Sequence, residues 1–242
     1  MDMKISEIKM STEEVGKWGM VIDQDLCTGC QACVAACAME NNLSFVGEED
    51  AGYGRSMHWI RIERFWEGEY PEVKMTPNQP MMCQQCGSAP CEPVCPAFAT
   101  VHSNAESLNL QVYNRCVGTR YCANNCPYQV RSFNWRDYER PEPLPNQLNP
   151  DVTVRRRGVM EKCTFCIQRI HKAQDKAKSE GREVMDGEFT TACAQACPAS
   201  AITFGRTDQP ESLVSQLMHQ GHGVKHLEDL GTLPNVTYFK GG

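Results

Sequence analysis

The sequence predicts an α+β protein: two small cysteine-bound modules carrying long loop insertions. Three observations carry the prediction. Fifteen cysteines fall into four short groups. The groups are flanked by apolar runs of strand length and followed by short helical stretches. The segments between groups are long and rich in turn residues.

Taken in order, residues 20–23 read as a strand before the first group and 34–42 as a helix after it. Strands are expected over 59–65 and 72–75, over 110–113 before the third group, and over 201–204 after the last. The longest helix is expected over 163–180, ending at Gly181 as a C-terminal cap. Residues 140–150 hold four prolines and read as part of an irregular excursion. The run Arg155, Arg156, Arg157 reads as surface salt bridging.

The first group, Cys27, Cys30, Cys33 and Cys37, is spaced C-x2-C-x2-C-x3-C, the run that wraps an iron–sulfur cubane in bacterial ferredoxins. The second, Cys83, Cys86, Cys91 and Cys95, widens one gap to four residues and ends in Cys95-Pro96. The third keeps Cys116, Cys122 and Cys126 but has Thr119 where the second cysteine would stand. The fourth is split into Cys163, Cys166 and, farther on, Cys193 and Cys197. Closely spaced thiolates wrap one cluster, while the last cysteine of such a run reaches a second one. Four groups therefore make two pairs that exchange their last ligands, giving two ferredoxin-like modules of two clusters each. The competing reading is structural zinc, which usually pairs two C-x2-C knuckles. The three-cysteine loop with its fourth, proline-flanked cysteine is more specific.

Other classes are opposed by the bulk numbers. A net charge of −6 and a pI near 5.6 offer no basic field for nucleic acid. An odd cysteine count, gathered in short groups, argues against a disulfide scaffold. No export signal is legible in the first twenty residues, and no apolar run approaches the ~18 residues a membrane-spanning helix needs. The six histidines, His58, His102, His171, His219, His222 and His226, are scattered without triad or metal spacing, so no substrate site is expected on this chain.

The stretches GVMEKCTFCIQRI and TTACAQACPASAITFG, with the four groups in order, resemble the four-cluster iron–sulfur subunits of molybdopterin-type membrane oxidoreductases, such as polysulfide, dimethyl sulfoxide and nitrate reductases. Within that family MHWIRIERF, VYNRCVGTRYCANNCPYQVRSFNW and LGTLPNVTYF are most similar to the iron–sulfur subunits of the menaquinone reductase complex and alternative complex III. The likeness covers nearly the whole chain.

The resemblance implies that groups one and four form one module, residues 15–80 and 160–206. Groups two and three would form the other, 81–135, with an excursion at 136–159 and a C-terminal partner-binding tail at 207–242. It implies three [4Fe-4S] clusters, held by Cys27, Cys30, Cys33 and Cys197, by Cys37, Cys163, Cys166 and Cys193, and by Cys83, Cys86, Cys91 and Cys126. Cys95, Cys116 and Cys122 remain for one [3Fe-4S] cluster, with Thr119 at the site of the missing thiolate, its hydroxyl being a poor soft-metal ligand. The implied partners are a large molybdopterin-family-like subunit, an NrfD-like integral membrane subunit that binds quinone, and a multihaem cytochrome c. The implied place is the inner membrane, peripheral, on the periplasmic face by co-export with a signal-bearing partner, the cytoplasmic face being the alternative. A free-standing soluble polyferredoxin is the competing function, and the long excursions argue against it.

Overall fold

A computed structural model describes residues 17–240. The export-signal reading rests mostly on residues 1–16, outside that span, as do the first module's limit at 15 and the last two residues of the tail.

Strand β1 (Trp18–Asp23) leads into group one, and α1 (Ala32–Glu40) carries Cys33 and Cys37. The short helix α2 (Glu48–Gly52) precedes β2 (Ile60–Glu63), the exposed pair β3 (Trp66–Glu67) and β4 (Lys74–Met75), and β5 (Gln79–Met82), which runs into Cys83. Between groups two and three, β6 (Thr100–Ser103) and β7 (Leu108–Gln111) form a hairpin. Helix α3 (Tyr121–Asn124) lies inside group three, and β8 (Ser132–Phe133) pairs with β9 (Met160–Glu161) just before Cys163. Helix α4 (Ile167–Ser179) separates the halves of group four, and α5 (Ala192–Gln195) carries Cys193. Strand β10 (Ile202–Arg206), α6 (Leu213–His219), β11 (Gly223–Val224) and β12 (Val236–Phe239) follow.

The largest sheet runs β10-β1-β12-β11. Strand β1 is antiparallel to β10, with Met20 opposite Phe204, and parallel to β12, with Met20 opposite Val236. Its first five residues are all buried, as a strand covered on both faces requires. Trp18 stacks on Phe204 with centroids 5.7 Å apart, and Phe165 meets Phe204 edge-on at 5.4 Å. This aromatic core packs the main sheet against the start of group four.

The long helix begins four residues later than the sequence suggests, because Phe165 and Cys166 adopt φ of 55° and 53°, left-handed values no α-helix accommodates. Its end matches expectation: Gly181 has φ 68°, and Arg182 N–H donates to Ala177 O at 3.0 Å, closing the helix as glycine caps do. The strand expected over 110–113 is centred earlier, since Tyr113–Arg115 forms a 3-10 turn. The C-terminal segment contributes core: Val236 and Tyr238 are fully buried, and the Tyr238 hydroxyl donates to Pro80 O at 3.0 Å.

The arginine run is corrected by the structure. Arg155 lies inside the protein, 2.8 Å from Glu161, and Glu161 also accepts from Trp59 Nε1 at 3.1 Å and from Asn134 Nδ2. Charge composition could not reveal this, because burial of Arg155, at the end of an irregular loop from 136 to 159, depends on packing against Trp59 and Tyr113. That loop is tied down by Asn42, whose amide donates to Asn149 O at 2.8 Å and Val152 O at 2.7 Å.

Candidate metal centres

The cysteine loops share a backbone device. Gly29 and Gln31 of group one have φ of 69° and 65°, and Gly118 and Arg120 of group three have 77° and 60°. At Gly29 an added Cβ would stand 2.7 Å from Asn78 Oδ1, and at Gly118 2.6 Å from Gly158 O. Both positions need glycine for conformation and for space. A second device follows the closing cysteines. Three residues after Cys95, Cys126 and Cys197 come Phe98, Gln129 and Ser200, with φ of 47°, 51° and 51°. The next amide then turns back to the sulfur: Ala99 N–H reaches Cys95 Sγ at 3.1 Å, Ala201 N–H reaches Cys197 Sγ at 3.3 Å, and Val130 N–H serves Cys126. Cys37, which no proline follows, departs from this pattern. Helix α1 continues past it, and the side-chain amide of Asn41 supplies the bond at 3.5 Å.

These turns gather sulfurs from distant stretches. Cys27, Cys30, Cys33 and Cys197 line one pocket, together with Ile62, Pro80 and Ile202. Cys37, Cys163, Cys166 and Cys193 line a second, walled by Met20, Trp59, Ile60, Met82 and Phe165. In a third cluster of thiols, Cys83, Cys91 and Cys126 each act electrostatically on Cys86. Cys163 also feels Cys83, so the second and third sets adjoin. Cys122 lies with Cys91 around the guanidinium of Arg131. Cys116 Sγ accepts from Met160 N–H at 3.4 Å, and Thr119 is exposed.

Burial raises several of the thiols. It pushes Cys33 up to about 11, helped by the Cys27 and Cys197 thiolates, and pushes Cys86 up to about 12, helped by Cys83. Burial holds Cys37 and Cys163 well above the ordinary range, their neighbouring thiolates adding to it. Exposed Cys30 moves the other way, through the Ala32 amide. Buried thiols crowded round a common space ionise only against positive charge, so loading with iron would release protons. The donor set is soft sulfur, which suits iron–sulfur clusters. Among the described residues no three Cys, His, Asp or Glu side chains converge as a site for a single ion. The two four-thiol pockets each supply the four sulfur donors that a cubane takes.

Sequence reasoning missed the polar partners of these sulfurs. Arg131 Nη2 donates to Cys91 Sγ at 3.0 Å and to Asn109 Oδ1 at 3.1 Å. Burial pulls the guanidinium down, but Cys91, Cys122 and their neighbours hold it above its usual range. Lys162 donates to Cys163 O at 3.0 Å and to Asn109 O. Lys162 precedes Cys163 directly, yet nothing in its spacing marked it.

The fold and its sulfur-lined sites define an iron–sulfur protein. A 4Fe-4S binding domain model matches residues 18–39, and a 4Fe-4S dicluster domain model matches 115–201. The chain is 45% identical over 227 residues to the menaquinone reductase iron–sulfur cluster-binding subunit of Nitratidesulfovibrio vulgaris, covering 92% of this chain and 88% of that one. It is 35% identical to a putative dimethyl sulfoxide reductase iron–sulfur subunit of Halobacterium salinarum, covering 93% and 79%. It is 33% identical to an arsenate respiratory reductase iron–sulfur subunit of a Shewanella species, covering 92% and 95%. The chain belongs to this family of iron–sulfur subunits of oxidoreductase complexes, and its work is electron transfer. Among the described residues no helix is long and apolar enough to cross a membrane.

Proposed function

We propose that this chain is the electron-transfer subunit of a membrane-bound menaquinone oxidoreductase. It would stand between a large molybdopterin-family or cytochrome-linked partner and a quinone site in an NrfD-like membrane subunit. The observation that carries this reading is the 45% identity to a menaquinone reductase subunit across nearly both chains. The relatives are named as subunits, which does not favour a free-standing polyferredoxin.

In this reading Cys27, Cys30, Cys33 and Cys197 would hold one [4Fe-4S] cluster, and Cys37, Cys163, Cys166 and Cys193 a second. Cys83, Cys86, Cys91 and Cys126 would hold a third, leaving Cys95, Cys116 and Cys122 for a [3Fe-4S] cluster beside Thr119. Two observations support the first two sets: each set lines one pocket. Bound clusters would supply reversible one-electron transfer. The chain's own residues fix the sulfurs, exclude water and aim amide hydrogens at them, as Ala99, Val130 and Ala201 do. Phe98, Val117 and Tyr121, close in sequence to Cys95, Cys116 and Cys122, are exposed and would give such a set an apolar rim suited to a membrane partner. The complex would lie on the periplasmic face of the inner membrane.

The test is to purify the intact complex anaerobically, add a reduced menaquinone analogue, and follow the EPR of this subunit. Reduction of its centres, abolished by a quinone-site inhibitor, is the expected result. Centres that stay oxidised while dithionite reduces them would reject the quinone link.

A further inference from the structure

Two cations stand at the junction of the second and third thiol sets. Lys162 is 0% exposed. Its ammonium is bonded to two neutral carbonyls, those of Asn109 and Cys163, and its charge acts on the Cys91 sulfur. Arg131 is half-buried and bonds Cys91 Sγ at 3.0 Å, Asn109 Oδ1 at 3.1 Å, Gln111 Oε1 at 2.9 Å and Thr100 Oγ1 at 3.2 Å. Among the described residues, neither cation forms an ion pair with a carboxylate. The adjacent Glu161 belongs to Arg155.

A buried ammonium with only carbonyl partners is costly, so a counter-charge is required nearby. The sulfurs of Cys91 and Cys163, one bonded to Arg131 and the other next in sequence to Lys162, would supply that negative charge once bound iron displaces their protons. Asn109 couples the two cations, its side chain meeting Arg131 and its carbonyl meeting Lys162.

We propose that Arg131 and Lys162 set the reduction potential where the second and third thiol sets meet, as fixed positive charges offsetting the negative charge that an arriving electron adds. This rests on the ligand sets given under the proposed function. Each electron gained adds one negative charge to the metal group. A neighbouring cation and an N–H bond to a ligand sulfur both favour the reduced form and raise the potential. The two residues act through the sulfurs and position charge; they do not react.

The experiment is an EPR-monitored redox titration of the intact complex carrying R131Q, K162M, R131K or K162R, with iron counted in each. R131Q is expected to shift the reduced-to-oxidised ratio of one cubane at least tenfold toward oxidised, about 59 mV for a one-electron couple. K162M should shift that cubane and a second one the same way, while R131K and K162R stay within about threefold of the parent. Unchanged midpoints in both R131Q and K162M, at full iron content, would overturn the proposal. So would charge-conserving variants that fall as far as the neutral ones. Cys91→Ala separates the two layers: it should remove the cubane that R131Q moves. Loss of a different centre would reject the ligand set while leaving the charge effect standing.

Discussion

The second and third thiol sets adjoin but are built from different materials. Cys37, Cys163, Cys166 and Cys193 sit in a wall of Met20, Trp59, Ile60, Met82 and Phe165, with Asn41 and Thr191 as their side-chain hydrogen-bonding partners. Cys91 of the third set instead faces Arg131, with Lys162 behind it. Identical donor atoms therefore sit in different surroundings, although Lys162 also touches the second set through Cys163 O. An apolar wall disfavours added negative charge, and a cationic wall favours it. In the proposed account the cysteine motif would specify which group is held, while residues outside the motif would set how readily it accepts an electron.

Replacing ligands breaks the comparison most severely. Cys37→Ser is expected to empty the apolar pocket of its centre, lowering the iron count by about four per chain. Cys95→Ser should abolish the three-iron signal although Cys95 belongs to group two. Loss of a cubane with that signal intact would refute the exchanged pairing. Thr119→Cys should convert the same centre to a cubane, read as loss of the three-iron signal and gain of about one iron per chain.

Smaller effects sharpen it. Glu161→Gln leaves Arg155 buried without its partner and should destabilise the chain by about 3–5 kcal/mol, measured by thermal or denaturant unfolding. Asn41→Ala removes the side-chain bond to Cys37 Sγ and should cost about 1 kcal/mol. It should also lower the potential of the second centre alone. A shift at the third centre in Asn41→Ala would show that the two sets are not independently tuned.

Much of the site was legible because cysteine spacing is a local constraint: the loops around Cys27 and Cys116 need glycine and left-handed turns within a few residues. The strands at β1, β2 and β10 were also readable, their apolar runs being bounded by turn residues. What escaped depends on distant packing. Strand β12 lies parallel beside β1, a pairing more than two hundred residues apart, so nothing local marked this strand within the tail at 207–242. The start of α4 was misread because φ at Phe165 and Cys166 is dictated by the sulfur pocket rather than by propensity. Arg155 looked like surface charge because its burial depends on the distant Trp59 and Tyr113 rings packed against it, and Lys162 and Arg131 carry no spacing signature at all.

The central claim is that fifteen thiols hold three cubanes and one three-iron centre beside Thr119. Low-temperature EPR of the oxidised, anaerobically purified complex, with iron counted against this chain after correction for its partners, tests it most directly. The account predicts about fifteen irons per chain and the near-isotropic signal of an oxidised [3Fe-4S] centre. About sixteen irons and an EPR-silent oxidised state would mean that a fourth ligand other than cysteine completes the site at Thr119, and would contradict it.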